Sequence, residues 1–292
     1  MKNIPLPSSK RILTQLFCIL SFFVAVNQSI AQEYKIKTIV IDAGHGGKDG
    51  TTRGAYSTEK EVALRTALRL GKTIEAKIPN TKVIYTRTDD TFIPLYERIA
   101  LANKESADIF ISIHCNDMPL VAKRVIASYT KNKAGKRIPV YKTTYTKNTN
   151  VKGTETFVSG SGRLDEQDEA IKRENASIFL EDNYEENYAG FGKDDVESQI
   201  LLSIMKNAYR VQSLNLASLI QDEYVKVGRI NRGVQEKSLA VLARAGMPAV
   251  LTEIGFLSNP AEEDYLNSES GQEEVVNCLL QAILAYKAKV EI

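Results

Sequence analysis

The stretch KTIVIDAGHGGKDGTTRGAYSTEKEVAL, residues 37–64, decides the fold of this chain. Its first six residues form a short, largely β-branched run that breaks at Gly44, which predicts a strand leading into a turn. Thr58 is a typical helix cap, and apolar residues recur after it at helical spacing. We therefore predict a helix from Glu59 to Lys77. A strand followed by such a helix is the repeating unit of α/β proteins.

The same alternation continues along the rest of the chain. The run at 108–114 is apolar enough to be buried on both faces, as strands of a parallel sheet are. We predict an α/β fold: a single domain with a mostly parallel central sheet flanked by helices, and with an acidic helical insertion. The further predicted strands are 82–86, 108–114, 154–158 and 248–253, and the further predicted helices are 95–104, 197–225, 238–243, 262–266 and 273–290.

Residues 1–31 are not expected to belong to the folded protein. Three basic residues precede an apolar stretch, and small residues occupy the positions just before Gln32. This order is typical of a secretory signal peptide cleaved after Ala31, so we expect an exported protein of the periplasm or cell envelope. The alternative is an uncleaved anchor, but the apolar run is shorter than the roughly 20 residues that a bilayer span needs. We therefore expect no stable membrane anchor, and a mature chain of residues 32–292.

The charge of the mature chain is balanced. The full sequence has 38 basic and 36 acidic residues, and removal of the leader with its three basic residues leaves 35 against 36. This balance lacks the basic excess typical of nucleic-acid-binding proteins, so we expect no nucleic-acid partner. The mature chain keeps two cysteines, which are too few for a disulfide framework, and we expect Cys115 to be a buried free thiol.

Charge is segregated in the middle of the chain. Residues 118–154 contain nine basic residues and no acid, and residues 165–197 contain twelve acids and three basic residues. The simplest interpretation is a solvated basic loop or hairpin at 118–154 and a solvated acidic helical insertion at 165–195. Contact of the basic segment with an anionic wall polymer is a second hypothesis.

Residues that can perform chemistry follow several predicted strands. His45 follows the first strand, His114 ends the strand at 108–114, and Glu253 ends the strand at 248–253. Ligands of α/β sheets gather at the carboxyl ends of the strands, so these side chains are expected at one edge. Two histidines and a carboxylate form a recognised catalytic zinc set, and a further carboxylate can move the proton.

Three alternatives stay open at this point. A histidine near a strand end is often only a core or capping residue, and the glycines beside His45 could form a phosphate-binding turn. They do not match G-x-G-x-x-G or a P-loop, and the chain contains no H-E-x-x-H. Helical spacing does not decide between Glu59 and Glu61 as the carboxylate that faces the site. The helix dipole would favour either acid without any function.

Six motifs carry a resemblance to a known family. In chain order they are IDAGHGGKD at 41–49, EKEVAL at 59–64, TR at 86–87, ADIFISIHCN at 107–116, RGVQ at 232–235 and MPAVLTEIGFLSNP at 247–260. Together they span nearly the whole mature chain. The sequence resembles the zinc-dependent N-acetylmuramoyl-L-alanine amidases, bacterial cell-wall hydrolases that act in cell separation. Residues 32–292 would then be the amidase catalytic domain.

The resemblance implies specific roles for four residues. His45, Glu59 and His114 match the ligands of a single Zn²⁺ ion, and Glu253 matches the catalytic glutamate. The implied substrate is peptidoglycan, and the implied reaction is hydrolysis of the amide between the lactyl group of N-acetylmuramic acid and L-alanine of the stem peptide. Zinc would activate the attacking water, and Glu253 would pass its proton to the alanine nitrogen. Only the resemblance selects Glu59 over Glu61.

The resemblance also suggests a regulatory role for the acidic insertion. Some relatives insert a helical segment at a comparable point, which covers the zinc and places a glutamate on it until an activator protein displaces the segment. In this chain the insertion 165–195 would be that segment, with Glu174 and Glu181 as the candidate autoinhibitory residues. The expected partner is then an activator protein that displaces the insertion.

Two other functions are weighed against the amidase. One is a different zinc hydrolase of cell-wall material, such as a carboxypeptidase or a deacetylase. The other is a non-catalytic wall-binding protein on the same fold. A non-catalytic protein usually has a broken ligand set, whereas His45, Glu59, His114 and Glu253 are all present.

Overall fold

The computed structural model describes residues 34–50, 52–148, 150–160, 168–188, 204 and 208–291. The predicted leader, residues 1–31, lies outside these ranges. The two ends of the acidic insertion, 165–167 and 189–195, and most of the first part of the helix predicted from residue 197 also lie outside them. Within the described ranges, no helix is long and apolar enough to cross a bilayer.

A six-stranded sheet forms the centre of the molecule, in the order β2-β1-β3-β8-β6-β7. Strands β2, β1, β3 and β8 are parallel, β6 pairs antiparallel with β8, and β7 pairs parallel with β6. A separate two-stranded sheet consists of β4 and β5. The strands are β1 Thr38–Ala43, β2 Lys82–Tyr85, β3 Ile109–Asn116, β4 Leu120–Lys131, β5 Arg137–Lys147, β6 Thr154–Ser159, β7 Asn231–Lys237 and β8 Ala249–Phe256.

Helices cover both faces of this sheet. Seven α-helices lie within the described ranges, and two short 3₁₀ turns, Ala176–Leu180 and Ala240–Leu242, accompany them. The helices are α1 Glu59–Lys77, α2 Leu95–Lys104, α3 Glu169–Asn175, α4 Tyr184–Asn187, α5 Arg210–Lys226, α6 Pro260–Asn267 and α7 Glu269–Val290.

The central strands are buried on both sides because their alternate residues face two different apolar clusters. Ile39 and Ile41 of β1 belong to the cluster that contains α1, α5 and α7. Val40 between them faces the other cluster, to which α2 and the insertion contribute. This explains why the strands are continuous apolar runs in the sequence. The result is the predicted single α/β domain, with its mostly parallel sheet flanked by helices.

Most predicted elements are confirmed with shifted ends, and two differences have physical causes. The predicted helix at 238–243 is wrong: only a 3₁₀ turn forms, because this short apolar run is held by burial on all sides rather than by a helical stripe. Strand β7 was not predicted. It is a polar edge strand, NRGVQEK, without alternating apolar residues, so its sequence lacks the strand pattern.

The two charge-segregated segments have different structures. The basic segment forms the β4–β5 hairpin, whose side chains are almost all exposed. The described part of the acidic insertion is partly buried: Ile171 and Ile178 pack into the second apolar cluster, close to the carboxyl edge of the sheet. The described part of the insertion is therefore not simply a solvated surface feature.

Candidate metal centre

His45 lies in a turn of unusual backbone conformation directly after β1. His45, Gly46 and Gly47 all have positive φ, with values of 61, 125 and 56°. Glycine is required at Gly46 because a Cβ there would lie 2.2 Å from the carbonyl oxygen of Thr91. For His45, which is not a glycine, this conformation costs on the order of 1 kcal/mol. The surrounding structure must therefore hold the turn in place.

Two buried arginines hold this turn. Arg98 donates hydrogen bonds to the carbonyl oxygens of Ala43 and His45 at 2.8 and 2.7 Å, and Arg87 donates to those of Ala43 and Gly44 at 2.9 and 2.7 Å. Arg98 also forms an ion pair of 2.9 Å with Asp42, and both residues are almost fully buried. The carbonyl groups that regular structure leaves unpaired are thus satisfied by charged donors.

His114 reaches the same place from β3. Its ring packs so closely on Gly44 that a Cβ at residue 44 would lie 2.5 Å from the imidazole. The rings of His45 and His114 meet edge to face, with centroids 4.7 Å apart. A glycine is therefore needed at residue 44 so that the ring of His114 can pack against the backbone.

Glu59 begins helix α1 and is completely buried. Its carboxylate accepts a hydrogen bond from the backbone amide of Cys115 at 2.9 Å and lies 3.1 Å from both His45 Nε2 and His114 Nδ1. Glu61 is exposed and instead accepts hydrogen bonds from Thr58 in a capping box. The structure thus brings Glu59, and not Glu61, to the histidines.

Glu253 lies in β8 directly beside His114 of β3. It is fully buried, and its Oε1 accepts a hydrogen bond of 2.9 Å from Arg173 of the insertion. Within the described part of the chain, Glu253 Oε2 has no hydrogen-bond partner. One carboxylate oxygen is therefore left free at the edge of the cluster.

Glu174 of helix α3 brings the insertion into the cluster. Its Oε2 lies 2.8 Å from His114 Nδ1 and 3.4 Å from His45 Nε2. One ligand atom from each of His45, Glu59, His114 and Glu174 can be chosen so that all four lie within 4.8 Å of one another. The other candidate, Glu181, is elsewhere: it accepts hydrogen bonds from the amide of Leu95 and the hydroxyl of Tyr188.

The cluster has the chemistry of a metal site. All four residues are buried, and their imidazole nitrogens and carboxylate oxygens are the donors that Zn²⁺ prefers. His45 Nε2 and Glu174 Oε2 make no hydrogen bond with good geometry within the described ranges, although they lie close to the other ligand atoms. Buried polar atoms are rarely left so, because each costs a desolvation penalty. A cation held between them would remove that cost.

The charges of the cluster balance one another. Burial alone would lower the pKa of His114, but Glu174 and Glu59 raise it to about 9. Burial alone would raise the pKa of Glu59, but His45 and His114 lower it to about 2. Burial raises the pKa of Glu253 to about 8, against the opposing effect of Arg173. The opposite charges thus stabilise protonated histidines beside the ionised Glu59, and a dication would displace the histidine protons on binding.

Sequence reasoning missed several partners of the predicted residues. Asp49 lies 2.9 Å from His45 Nδ1 and also accepts a hydrogen bond from Ser177 of the insertion. Its position four residues after His45, in the same motif, was the available signal. Glu155 of β6 pairs with Glu253 in the sheet and accepts a hydrogen bond of 2.9 Å from Gln235 of the RGVQ motif. No local pattern indicates this contact.

A cavity of about 530 Å³ opens beside the cluster. Its lining includes Asp49, Arg173, Asp117 and Lys147, which come from the His45 turn, the insertion and the base of the hairpin. The cavity thus lies between the loop that follows His45, the insertion and the base of the β4–β5 hairpin.

The sequence model of a protein family described as N-acetylmuramoyl-L-alanine amidase matches residues 39–285. The chain belongs to this family. Among its amidase relatives, AmiC of Escherichia coli is 30% identical over 254 residues, which are 86% of this chain and 52% of AmiC. AmiA of Escherichia coli is 25% identical over 86% of this chain and 76% of AmiA. The chain spans about half the length of the first curated relatives it matches.

Solved amidase structures share this fold. An N-acetylmuramoyl-L-alanine amidase from Clostridium difficile, 26% identical, matches with a TM-score of 0.55 over 87% of this chain and 97% of its own. The CwlD amidase from Clostridioides difficile, solved in complex with the GerS lipoprotein, is 23% identical and matches with a TM-score of 0.55 over 87% of this chain and 99% of its own. The second likeness concerns the fold alone.

Proposed function

We propose that this chain is a zinc-dependent N-acetylmuramoyl-L-alanine amidase of peptidoglycan. It would hydrolyse the amide between the lactyl group of N-acetylmuramic acid and L-alanine of the stem peptide, in wall remodelling and cell separation. The observation that carries the proposal is the convergence of His45, Glu59 and His114 beside the buried carboxyl of Glu253, in a member of the amidase family.

Zinc would be held by His45, Glu59 and His114, whose donor atoms fit it. A bound Zn²⁺ ion supplies Lewis-acid chemistry, polarising a carbonyl and lowering the pKa of a water to about 7. We propose that Glu253 moves the proton, accepting it on Oε2 from the attacking water and delivering it to the leaving alanine nitrogen. This is supported by Oε2, which has no hydrogen-bond partner among the described residues. Asp49 supports this arrangement by fixing the ring of His45 through Nδ1.

Metal analysis of the mature chain and its variants tests the ligand set. Glu59→Gln should lose stoichiometric zinc, whereas the matched variant Glu61→Gln, which alters only an exposed helix cap, should retain it. Glu253→Gln should retain zinc and lose at least about a hundredfold in turnover. Full turnover in Glu253→Gln would contradict its role.

Product analysis of sacculi digested with the Glu174→Ala chain, which lacks the candidate autoinhibitory carboxylate, separates the amidase from the alternatives. An amidase releases stem peptides with a free N-terminal L-alanine and leaves the glycan intact. A carboxypeptidase releases a C-terminal amino acid, a deacetylase releases acetate, and a non-catalytic wall-binding protein releases none of these. Detection of either alternative product without free stem peptides would replace the proposed function.

The insertion is proposed to keep this amidase inactive. Two neighbouring residues occupy the site: Glu174 faces both histidines, and Arg173 binds the carboxylate of Glu253. In this closed arrangement, Glu174 would occupy a fourth ligand position, and Arg173 would compete for the group that moves the proton. Glu181 contributes a different contact, holding the insertion to the start of α2.

Activation would then require a partner that displaces the insertion. The GerS complex of the CwlD amidase shows that a protein of this fold can bind a lipoprotein partner. We also propose export, supported by the leader-like sequence of residues 1–31, with cleavage after Ala31. N-terminal sequencing of the protein isolated from the cell envelope should begin at Gln32. Recovery of the intact leader there would contradict the cleavage.

A further inference from the structure

The β4–β5 hairpin is an arm that extends from the molecule. Neither strand is hydrogen-bonded to the six-stranded sheet, and only Val125 and Thr144 are partly buried. At the usual rise per residue, its twelve-residue strand extends about 40 Å. A two-stranded ribbon is only marginally stable by itself. Because almost none of its side chains pack against the rest of the protein, packing does not explain their identity.

The turn of the hairpin is nevertheless well defined by the sequence. The side chain of Asn132 accepts hydrogen bonds from the amides of Ala134 and Lys136, and Gly135 has a φ of 75°. The strands keep one register on each side of a single irregularity between Ile126 and Ser128. This register fixes which residues share a face.

The two faces of the hairpin differ in chemistry. Directly opposed residues of antiparallel strands point to the same side. The register therefore places all three hairpin tyrosines on one face, together with four of the basic residues, and we name this the tyrosine face. The opposite face carries aliphatic and threonine side chains and two lysines. The tyrosine face contains Tyr129, Tyr141 and Tyr145 with Arg124, Lys131, Arg137 and Lys147.

Side chains on the tyrosine face are arranged in stacked pairs. The guanidinium of Arg124 lies 4.2 Å from the ring centre of Tyr141, and that of Arg137 lies 4.2 Å from the ring centre of Tyr129. The three rings remain 45–65% exposed. Stacking already restricts the arginine and tyrosine side chains, so the binding of a ligand to them costs little further side-chain entropy.

The tyrosine face begins at the cavity beside the candidate metal centre. Lys147, at the base of this face, forms an ion pair of 2.6 Å with Asp117, and both line that cavity with Asp49 and Arg173. A polymer whose scissile bond lay at the cluster could therefore continue along the hairpin. A small ligand would not use a surface of this length.

The positive charge of the hairpin indicates which kind of polymer it binds. Residues 120–147 contain eight basic residues and no acid, so a second copy of the hairpin would be repelled and an anionic ligand attracted. We propose that the tyrosine face binds the peptidoglycan strand, with sugar rings stacked on the tyrosines and stem-peptide carboxylates bound by the arginines and lysines. The identity of this polymer rests on the proposed function, but the binding can be measured without catalysis.

Co-sedimentation of the mature Glu253→Gln chain with purified sacculi tests the binding arm, since this variant would leave the wall intact. Tyr129→Ser with Tyr141→Ser should weaken binding about tenfold, whereas Ile138→Ser with Val140→Ser on the opposite face should change it less than about twofold. Two further double variants remove equal charge from the two faces. Arg124→Ser with Arg137→Ser alters the tyrosine face, and Lys123→Ser with Lys142→Ser alters the opposite face. Only the arginine pair should have the tenfold effect.

Equal losses on both faces, or no loss, would overturn the proposal. Tyr129→Phe with Tyr141→Phe keeps the rings and should bind normally, and weak binding by this pair would also overturn it. Binding to phosphatidylglycerol vesicles that depends on the tyrosines, without an effect on sacculi, would assign the face to a membrane instead. Hydrolysis of a short soluble muramoyl-peptide by the Glu174→Ala chain, which lacks the carboxylate proposed to block the site, tests the proposed function separately. Its absence, with the expected sacculus binding, would overturn the amidase but not the arm.

Discussion

Arg173 Nη2 of the insertion lies 2.9 Å from Glu253 Oε1 of the central sheet, and the next residue, Glu174, faces both histidines. Two consecutive side chains of opposite charge thus reach two different parts of one site. Because both come from the last turn of a single short helix, a movement of that helix would release both contacts together.

Removal of Glu174 should activate the enzyme. Glu174→Ala deletes the carboxylate that lies at the histidines, so hydrolysis of sacculi should rise about tenfold or more while zinc is retained. Dye release from labelled sacculi measures the rate. Glu186→Ala, which removes an exposed acid of the same insertion, is the control and should leave the rate unchanged. A lower rate in Glu174→Ala would show that this glutamate supports the active site.

A methyl group at Gly44 should displace His114. The Cβ of Gly44→Ala would lie 2.5 Å from the imidazole, which is too close for the ring to keep its position. We expect zinc affinity to fall about 10- to 100-fold, as it does when ligand orientation is disturbed. Competition with a chromogenic chelator measures it. Gly50→Ala in the same loop has open space around the new methyl and should bind zinc normally.

Loss of the Asp49 carboxylate should weaken zinc binding without removing a ligand. Asp49→Ala frees Nδ1 of His45 and also breaks the contact with Ser177, so zinc affinity should fall about tenfold or more. The same chelator competition measures it. Asp264→Ala alters an exposed acid far along the sequence and should have no effect. Unchanged affinity in Asp49→Ala would mean that the Gly-rich turn alone orients His45.

The buried ion pair of Arg98 should matter for stability far more than a surface pair. Arg98→Ala leaves Asp42 charged and buried and removes two bonds to the turn, so the free energy of unfolding should fall by about 3–5 kcal/mol. Arg69→Ala breaks an exposed pair with Glu269 and should cost at most about 1 kcal/mol. Urea denaturation compares the two variants. Similar decreases in the free energy of unfolding would contradict the proposal that Arg98 stabilises the turn at His45.

The sequence predicted the parts of the fold that follow from local patterns. Strand β1, helix α1 and strand β8 were predicted because β-branched runs, helical spacing and turn residues mark them, and the sheet rule gathered their ends at one edge. Strand β7 was missed because an edge strand needs no apolar alternation. The resemblance, rather than any pattern, selected Glu59 over Glu61.

Contacts between distant residues were beyond sequence reasoning. Arg98 reaches the carbonyl of His45 across 53 positions, and Arg173 reaches Glu253 across 80, and no spacing rule connects such pairs. The capping box of Glu61 could have been recognised from T-E-K-E at 58–61, since it assigns that acid to the helix end. Its recognition would have left Glu59 as the free carboxylate.

Glu174 belongs both to the insertion and to the group that could hold the metal. By reciprocity, a metal ion that binds more tightly with Glu174 in place must also stabilise the closed insertion by the same free energy. The proposed activator would have to supply this free energy to open the insertion, so the amount of bound zinc would set how tightly an activator must bind. The zinc supply would in this way govern both whether the enzyme can act and how tightly a partner must bind to activate it.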